Sequence, residues 1–410
     1  MKFAYLCNHK TKNMERLTQK FYEKYTSIQT ETVRDFINEI DWSNRFIGIS
    51  GSRGVGKTTL ILQYIRQNYA PDSSVLYVSL DNLFFSDNNL YDLADVFYKK
   101  GGKLLAIDEV HKYANWAIEL KNIYDDLPNL KIIFTGSSLL HMRQSKADLS
   151  RRAVVYEMPG LSFREFIKFQ TNQKFPILSL EEILNNHIQI SVDLLQKIKP
   201  LAFFEAYLKY GYYPFYKENL NSFHQKLSEI LLTTLEVDIP QFASIQTGNI
   251  VYLKKLLRII SSSVPFKPNM NSLSIRTGIS LNTMKLYLRL LSEAQLVQLL
   301  YVPEKGINSL NKPEKIYLNN SNLMYNLGEE NVNIGNIRET YFFNQLNMKY
   351  KTNSSKEADF LVADKYTFEI GGKNKQSRQI KNVQNSFIVK DNIEIGSDNI
   401  IPLWMFGFLY

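Results

Sequence analysis

Short apolar runs alternate with apolar stripes of helical period through the first 160 residues. Met14, Leu17, Phe21, Tyr22 and Tyr25 recur at helical spacing with charges between them, which predicts helix within residues 10–40. Arg45-Phe46-Ile47-Gly48-Ile49-Ser50 then reads as a buried strand, and Thr59–Ile65 as a helix leaving it. A turn at Pro71-Asp72-Ser73-Ser74 precedes a second buried run, Val75–Leu80. A helix over about 90–100 stops at Gly101-Gly102, and Lys103–Ile107 forms the next strand. Trp116, Leu120, Ile123 and Leu127 mark one helical face, ended by Pro128-Asn129. Strands over Lys131–Ser138 and Ala153–Met158 complete the series. Strand–helix alternation of this kind predicts an α/β fold with a parallel, doubly wound sheet and a ligand at the strand C-termini.

The remaining residues change period. From 162 to 245 the pattern is helical and rich in aromatics (Phe166, Phe169, Phe203, Phe204, Tyr207, Tyr210, Tyr213, Phe215), at spacings that suit packing. Residues 250–320 read as a winged helix-turn-helix. Val251-Tyr252-Leu253 and Leu256-Leu257-Ile259-Ile260 mark one helix, a short second spans Ser272–Thr277, and Gly278-Ile279 makes the turn. Ser280 caps a third helix with Met284, Tyr287, Leu288 and Leu291 inward and Asn282, Thr283, Lys285 and Arg289 outward. Leu296–Val302 and Lys315–Leu318 suit the wing.

The chemistry concentrates where the first strand ends. Gly51-Ser52-Arg53-Gly54-Val55-Gly56-Lys57-Thr58 has the form G-x-x-x-x-G-K-[ST], a phosphate-binding loop running into Thr59 and the helix. Its glycines let successive backbone N–H groups face the phosphates of ATP. Lys57 reaches the β- and γ-phosphates, and the Thr58 hydroxyl ligates Mg²⁺. The helix N-terminus adds positive potential at the same place. Some 50 residues on, the apolar strand ends in Asp108-Glu109, the form of a Walker B strand. Asp108 would orient Mg²⁺ with Thr58, and Glu109 would polarise the attacking water. At the tip of the Lys131–Ser138 strand, Ser137 and Thr135 are candidate γ-phosphate sensors, with a helix-capping serine as the plain alternative.

Composition sets bounds. With 44 % hydrophobic and 22 % charged residues over 410, the chain is globular and long enough for two or three domains. No apolar run approaches the roughly 20 residues that span a bilayer, and no secretory leader is evident, so no membrane role and a cytoplasmic location are expected. The single cysteine, Cys7, excludes an internal disulfide and fits a reducing compartment. His9, His111, His141, His187 and His224 show no metal-ligand spacing. A net charge of +9 is compatible with a polyanion partner such as DNA.

Residues 43–170 resemble the AAA+-type P-loop ATPase domain of a widespread prokaryotic family. Leu149-Ser150-Arg151-Arg152 and Gly160-Leu161-Ser162-Phe163-Arg164-Glu165-Phe166 match stretches that follow the family's sheet. The resemblance implies that Arg152 can act as an arginine finger on a neighbour's nucleotide, which would need a homo-oligomer. Gly211-Tyr212-Tyr213-Pro214 resembles a Gly-Gly-x-Pro loop, with Tyr212 in place of the second glycine. At the C-terminus the order of Glu339, Asp359 and Glu369 resembles a PD-(D/E)xK nuclease core. There Gly371 stands where the motif lysine belongs, and Lys373 lies four residues beyond Glu369. The resemblance thus implies a degenerate site, read as a binding or docking module rather than a nuclease. Five parts are expected: a helical segment (1–42), the ATPase core (43–160), a helical lid (161–248), the winged helix (249–320) and a small nuclease-like α/β domain (321–410). The expected activity is Mg²⁺-dependent ATP hydrolysis coupled to the C-terminal modules. An ATP-gated DNA nuclease and an ATP-dependent regulator that binds only protein are the alternatives.

Overall fold

The computed structural model describes residues 2–136, 149, 151–243, 245–303, 312–328, 332–376 and 380–410, with side chains described from residue 14 onward. The chain divides into two compact units, Met1–Met158 and Pro159–Tyr410. Among the described residues no helix is long and apolar enough to cross a membrane.

The first unit is built on five parallel strands: β1 (Phe46–Ser50), β2 (Val75–Ser79), β3 (Leu104–Asp108), β4 (Lys131–Gly136) and β5 (Val154–Glu157). They lie in the order β2-β3-β4-β1-β5. Continuous apolar runs form β1 to β4 because helices cover them: α1 (Lys2–Ser27), α2 (Lys57–Asn68), α3 (Leu90–Lys99) and α4 (Trp116–Asp126), whereas the edge strand β5 stays largely exposed. Ile47, Ile49, Leu104–Ile107, Ile132 and Ile133 lose all solvent exposure. Arg45 ties β1 to α4. Its guanidinium donates to the carbonyls of Leu127 (3.1 Å) and Tyr124 (2.9 Å) and stacks 3.6 Å over the Tyr124 ring, occupying carbonyls the helix end leaves open.

The helical period of residues 10–40 breaks at Ser27, and only a single 3-10 turn, Asp35–Asn38, follows. The reason lies on α2. Arg66 donates to the carbonyls of Tyr25, Thr26 and Ile28, and Gln63 to those of Gln29 and Thr32. These side chains satisfy carbonyls that a longer helix would have used internally. Met14, Leu17 and Phe21 are buried, so α1 belongs to the core of this unit.

The second unit opens with α5 (Phe163–Thr171) and α6 (Leu180–Leu195), each started by a complete Ser/Glu capping box, Ser162/Glu165 and Ser179/Glu182. α7 (Pro200–Ala206) runs into a π turn, Tyr207–Gly211, and α8 (Phe223–Thr233) follows. π geometry leaves main-chain groups without their usual partners. Asn322, fully buried on α12 (Ser321–Leu327), fills the gap. It donates to the Tyr207 and Leu208 carbonyls (3.0 and 2.9 Å) and accepts from Tyr212 N–H at 2.9 Å. Tyr212 lays its ring over Gly160, where an added Cβ would come within 2.3 Å of it.

Three helices, α9 (Ile250–Ser261), α10 (Met270–Thr277) and α11 (Leu281–Glu293), then lead into an antiparallel pair, β6 (Val297–Leu300) and β7 (Lys315–Leu318). Phe266, between α9 and α10, bridges to Ile316 on β7. Finally α13 (Ile334–Asn347) packs on a mixed sheet of β8 (Thr352–Ser354), β9 (Phe360–Val362), β10 (Tyr366–Gly371), β11 (Ser386–Lys390) and β12 (Ile400–Pro402). Its order is β12-β11-β10-β9-β8, antiparallel from β8 to β10 and parallel from β10 to β12. The regions expected as lid, winged helix and α/β domain therefore share one compact unit.

Asn322→Ala strips two carbonyls and one N–H of their partner in a dry site. A loss of about 2–4 kcal/mol is expected from the second unit in denaturant titration. A change below about 0.5 kcal/mol would show that the π turn does not depend on this amide.

Candidate functional site

β1 delivers the chain to Gly51, whose φ is +152°, followed by Gly54 and Gly56 at +84° and +97°. These left-handed and extended conformations favour glycine, and at Gly51 space decides as well: an added Cβ would lie 2.4 Å from the Met158 carbonyl oxygen. The loop wraps onto the N-terminus of α2, whose first residue is Lys57. Lys57 is 5 % exposed and donates to the carbonyls of Gly51 (2.8 Å) and Ser52 (2.9 Å), lying across the loop's own mouth. Arg34 braces the loop from outside through the Val55 carbonyl at 3.1 Å. Ser52 and Val55 are buried, Arg53 and Gly54 half-buried, and Thr59 exposed.

β3 ends on the buried Asp108, and three hydroxyls converge on its carboxylate. Thr58 donates to Oδ2 at 2.6 Å, Tyr77 to Oδ2 at 2.7 Å, and Thr135 to Oδ1. Thr135 Oγ1 also accepts from Glu109 N–H at 3.1 Å, which couples the two acids to the tip of β4. Glu109 turns out of the strand with φ +53°, a sparsely populated conformation for a non-glycine residue. Its Oε2 meets His111 Nε2 at 3.3 Å and Arg53 Nη2 at 4.0 Å. The His111 side chain has no solvent exposure.

Sequence reasoning found Lys57, Thr58, Asp108, Glu109 and Thr135, and the fold brings all five together. It missed Tyr77 and His111. Tyr77 looks like any apolar strand residue, yet the register Ser79↔Asp108 places it two residues back on the same face of the neighbouring strand. Burial, then the Asp108 charge, pushes its hydroxyl far above the usual tyrosine range. Ser137 lies outside the described residues. Arg152 is held bidentate by Asp125 of its own unit at 2.8 and 2.9 Å, and this guanidinium lowers the Asp125 carboxyl.

The loop and acids fit ATP with Mg²⁺: a nest of N–H groups, one cation able to turn toward phosphate, and a hydroxyl paired with a carboxylate. Among the described residues no group of three or more His, Cys, Asp or Glu could hold a metal ion. An Mg²⁺ site of this type does not need one, since phosphate oxygens and water supply most ligands.

A second acidic cluster sits in the other unit. Glu339 on α13 and Asp359 ahead of β9 flank Lys315 of β7, at 3.6 and 3.7 Å. Tyr317 donates to Glu339 at 2.7 Å, and Ile370 N–H to Asp359 at 2.9 Å. Burial, then repulsion from Asp359, raises the Glu339 carboxyl, and burial chiefly raises Glu369. Lys373 is exposed on the turn after β10. Lys375 is the lysine that ion-pairs with Glu369, because the chain turns over Gly372–Lys375, where Lys375 N–H closes onto the Gly372 carbonyl at 2.9 Å. An added Cβ on Gly371 would lie 2.6 Å from the Lys375 side chain.

Two family models match parts of the chain. Residues 43–167 match the family model of an AAA domain, and residues 202–333 match that of a domain of unknown function, DUF8612. The match to an AAA domain covers the loop and the five strands described above. The chain is 29 % identical over 329 residues to an uncharacterized protein, MJ1637, of Methanocaldococcus jannaschii, covering 76 % of this chain and 68 % of that one. Among solved structures it is similar to the Walker-type ATPase PABY2304 of Pyrococcus abyssi, at 14 % identity and TM-score 0.39, covering 74 % of this chain and 99 % of that one. It is also similar to the Aeropyrum pernix ORC1 protein in complex with DNA, at 12 % identity and TM-score 0.31, covering 78 % and 92 %.

Gly51→Ala forces a Cβ into the Met158 carbonyl and should lower the melting temperature of the first unit by several degrees while weakening ATP binding at least about tenfold. Wild-type affinity in that variant would mean that the loop tolerates a different path.

Proposed function

We propose that this chain is a Mg²⁺-dependent ATPase that couples turnover in the first unit to a binding module in the second. The observation that carries the reading is the buried Asp108 carboxylate, shared by the loop hydroxyl of Thr58 and the β4 hydroxyl of Thr135. Thr58 and Asp108 are the groups that would hold Mg²⁺, which supplies neutralisation of phosphate charge in such sites. Lys57 leaves the Gly51 and Ser52 carbonyls to pair with phosphate oxygens, so the loop opens as the ligand enters. Glu109 accepts the proton of the attacking water, and His111 holds the carboxylate that does so. Thr135, bonded to both acids, reports the state of the γ-phosphate to β4. A trans role for Arg152, in a homo-oligomer, requires it to exchange Asp125 for a neighbour's phosphate.

A metal-dependent nuclease in the second unit is the second reading, favoured by Lys375. This lysine returns a cation to Glu369, where the motif position holds glycine. Lys315, placed between Glu339 and Asp359, weighs the other way: a lysine already neutralises the acids that would share a metal.

Lys57→Ala is expected to abolish ATP binding in calorimetry. Glu109→Gln should bind ATP normally and turn over at least about a hundredfold more slowly. His111→Ala should keep affinity within about twofold and lower turnover about tenfold, with partial recovery in His111→Gln. Unchanged turnover across these variants would remove the assignment. For the second reading, Mg²⁺-dependent plasmid cleavage should disappear in both Asp359→Ala and Lys375→Ala. Intact plasmid after long incubation with wild type, Mg²⁺ and ATP would eliminate it.

A further inference from the structure

From 239 to 292 the chain holds seven basic residues, Lys254, Lys255, Arg258, Lys267, Arg276, Lys285 and Arg289, and no acidic one. Elsewhere acids are common, 40 in 410 residues, so this segment stands apart in sign as well as in fold. Lys254 is neutralised by Glu236. Lys255, Lys267, Arg276, Lys285 and Arg289 are exposed and have no ion-pair partner among the described residues. Exposed cations without acidic neighbours in the chain suit a polyanionic partner.

The arrangement on α11 narrows the partner. Met284, Tyr287, Leu288 and Leu291 hold the helix to its unit, each 3 % exposed or less. The opposite stripe is Asn282, Lys285, Leu286 and Arg289, at i, i+3, i+4 and i+7, all exposed. It runs about 10 Å along the axis, within the reach of a helix laid in a major groove about 12 Å wide. Thr283, outward by periodicity, is half-buried, and its hydroxyl lies 2.9 Å from that of Ser280 at the helix cap. It serves the helix end, and Leu286 takes its place on the stripe. α10 meets α11 through Gly278, whose φ of +72° makes the tight reversal, and Arg276 flanks that turn.

We propose that residues 250–293 bind duplex DNA through the Asn282–Lys285–Leu286–Arg289 stripe of α11, with Arg276 and Lys267 on phosphates. The chemistry suits base edges. Asn pairs with adenine, Lys and Arg with guanine, and an apolar tip such as Leu286 meets a thymine methyl. This rests on the reading of the second unit as a binding module and is independent of the ATP chemistry.

The test is fluorescence anisotropy of the full chain with a labelled 30-base-pair duplex at about 50 to 200 mM salt. Wild type should bind, with affinity falling steeply as salt rises. Asn282→Ala/Lys285→Ala/Arg289→Ala should lose at least about tenfold and reduce the log–log salt slope by about two. Lys197→Ala/Lys199→Ala, which removes the same charge from exposed positions elsewhere, should stay within about threefold. Unaltered far-UV circular dichroism and melting show that the variants fold. Absence of duplex binding at low salt, equal losses in both variants, or competition by poly-glutamate as strong as by unlabelled duplex overturns the proposal. ATP turnover in the same preparations separates the two readings. Wild type that turns over ATP but binds no duplex sinks only this one, and wild type that binds duplex without turning over ATP sinks only the other.

Discussion

A charged carboxylate buried at the end of β3 governs the first unit. Asp108 is 3 % exposed, and taking such a charge out of water is costly unless strong partners surround it. Here the partners come from three places at once: Thr58 after the loop, Tyr77 on β2 and Thr135 on β4. The strand order β2-β3-β4 is what makes this possible, since it sets both neighbours of β3 beside the acid. Satisfying one carboxylate therefore fixes the register of the sheet against the loop. It also leaves Thr58 and Asp108 in contact.

The loop shows the same economy of charge. Lys57 rests on two carbonyls of its own loop, so its ammonium is solvated by protein before any phosphate arrives. Glu109 is placed between His111 and Arg53 on a strained backbone, tied to Thr135 through its own N–H. Strain of this kind persists only when the surroundings over-determine it, and it is commonest at working sites.

In the second unit buried polar side chains do a similar task without charge. Asn322 closes the π turn, Asn344 donates to the Asn319 carbonyl at 2.9 Å, and Gln345 reaches the hydroxyls of Tyr207 and Tyr410, both at 3.1 Å. Such amides read as surface residues in a linear scan, because their partners lie up to 138 positions away. The acidic cluster teaches the same lesson. Distance counted along an ideal strand leaves Glu369 without a lysine, whereas the turn over Gly372–Lys375 carries Lys375 back to it. β7 brings Lys315 to Glu339 and Asp359 from a segment that carries no motif at all.

What the sequence by itself determined is local. The phosphate loop, the strand ending in Asp108-Glu109, the helix start at Ser280, and the order of strands and helices all follow from contiguous residues. Their geometry is set by backbone preference and by apolar period, which neighbouring residues share. What only the tertiary structure decided is which distant side chains complete each site: Tyr77 on Asp108, His111 on Glu109, Lys375 on Glu369 and Asn322 on the π turn. Those contacts depend on strand register and on the direction in which a turn returns the chain. Period and composition hold no record of either, because a buried polar group is satisfied by whatever the fold brings to it.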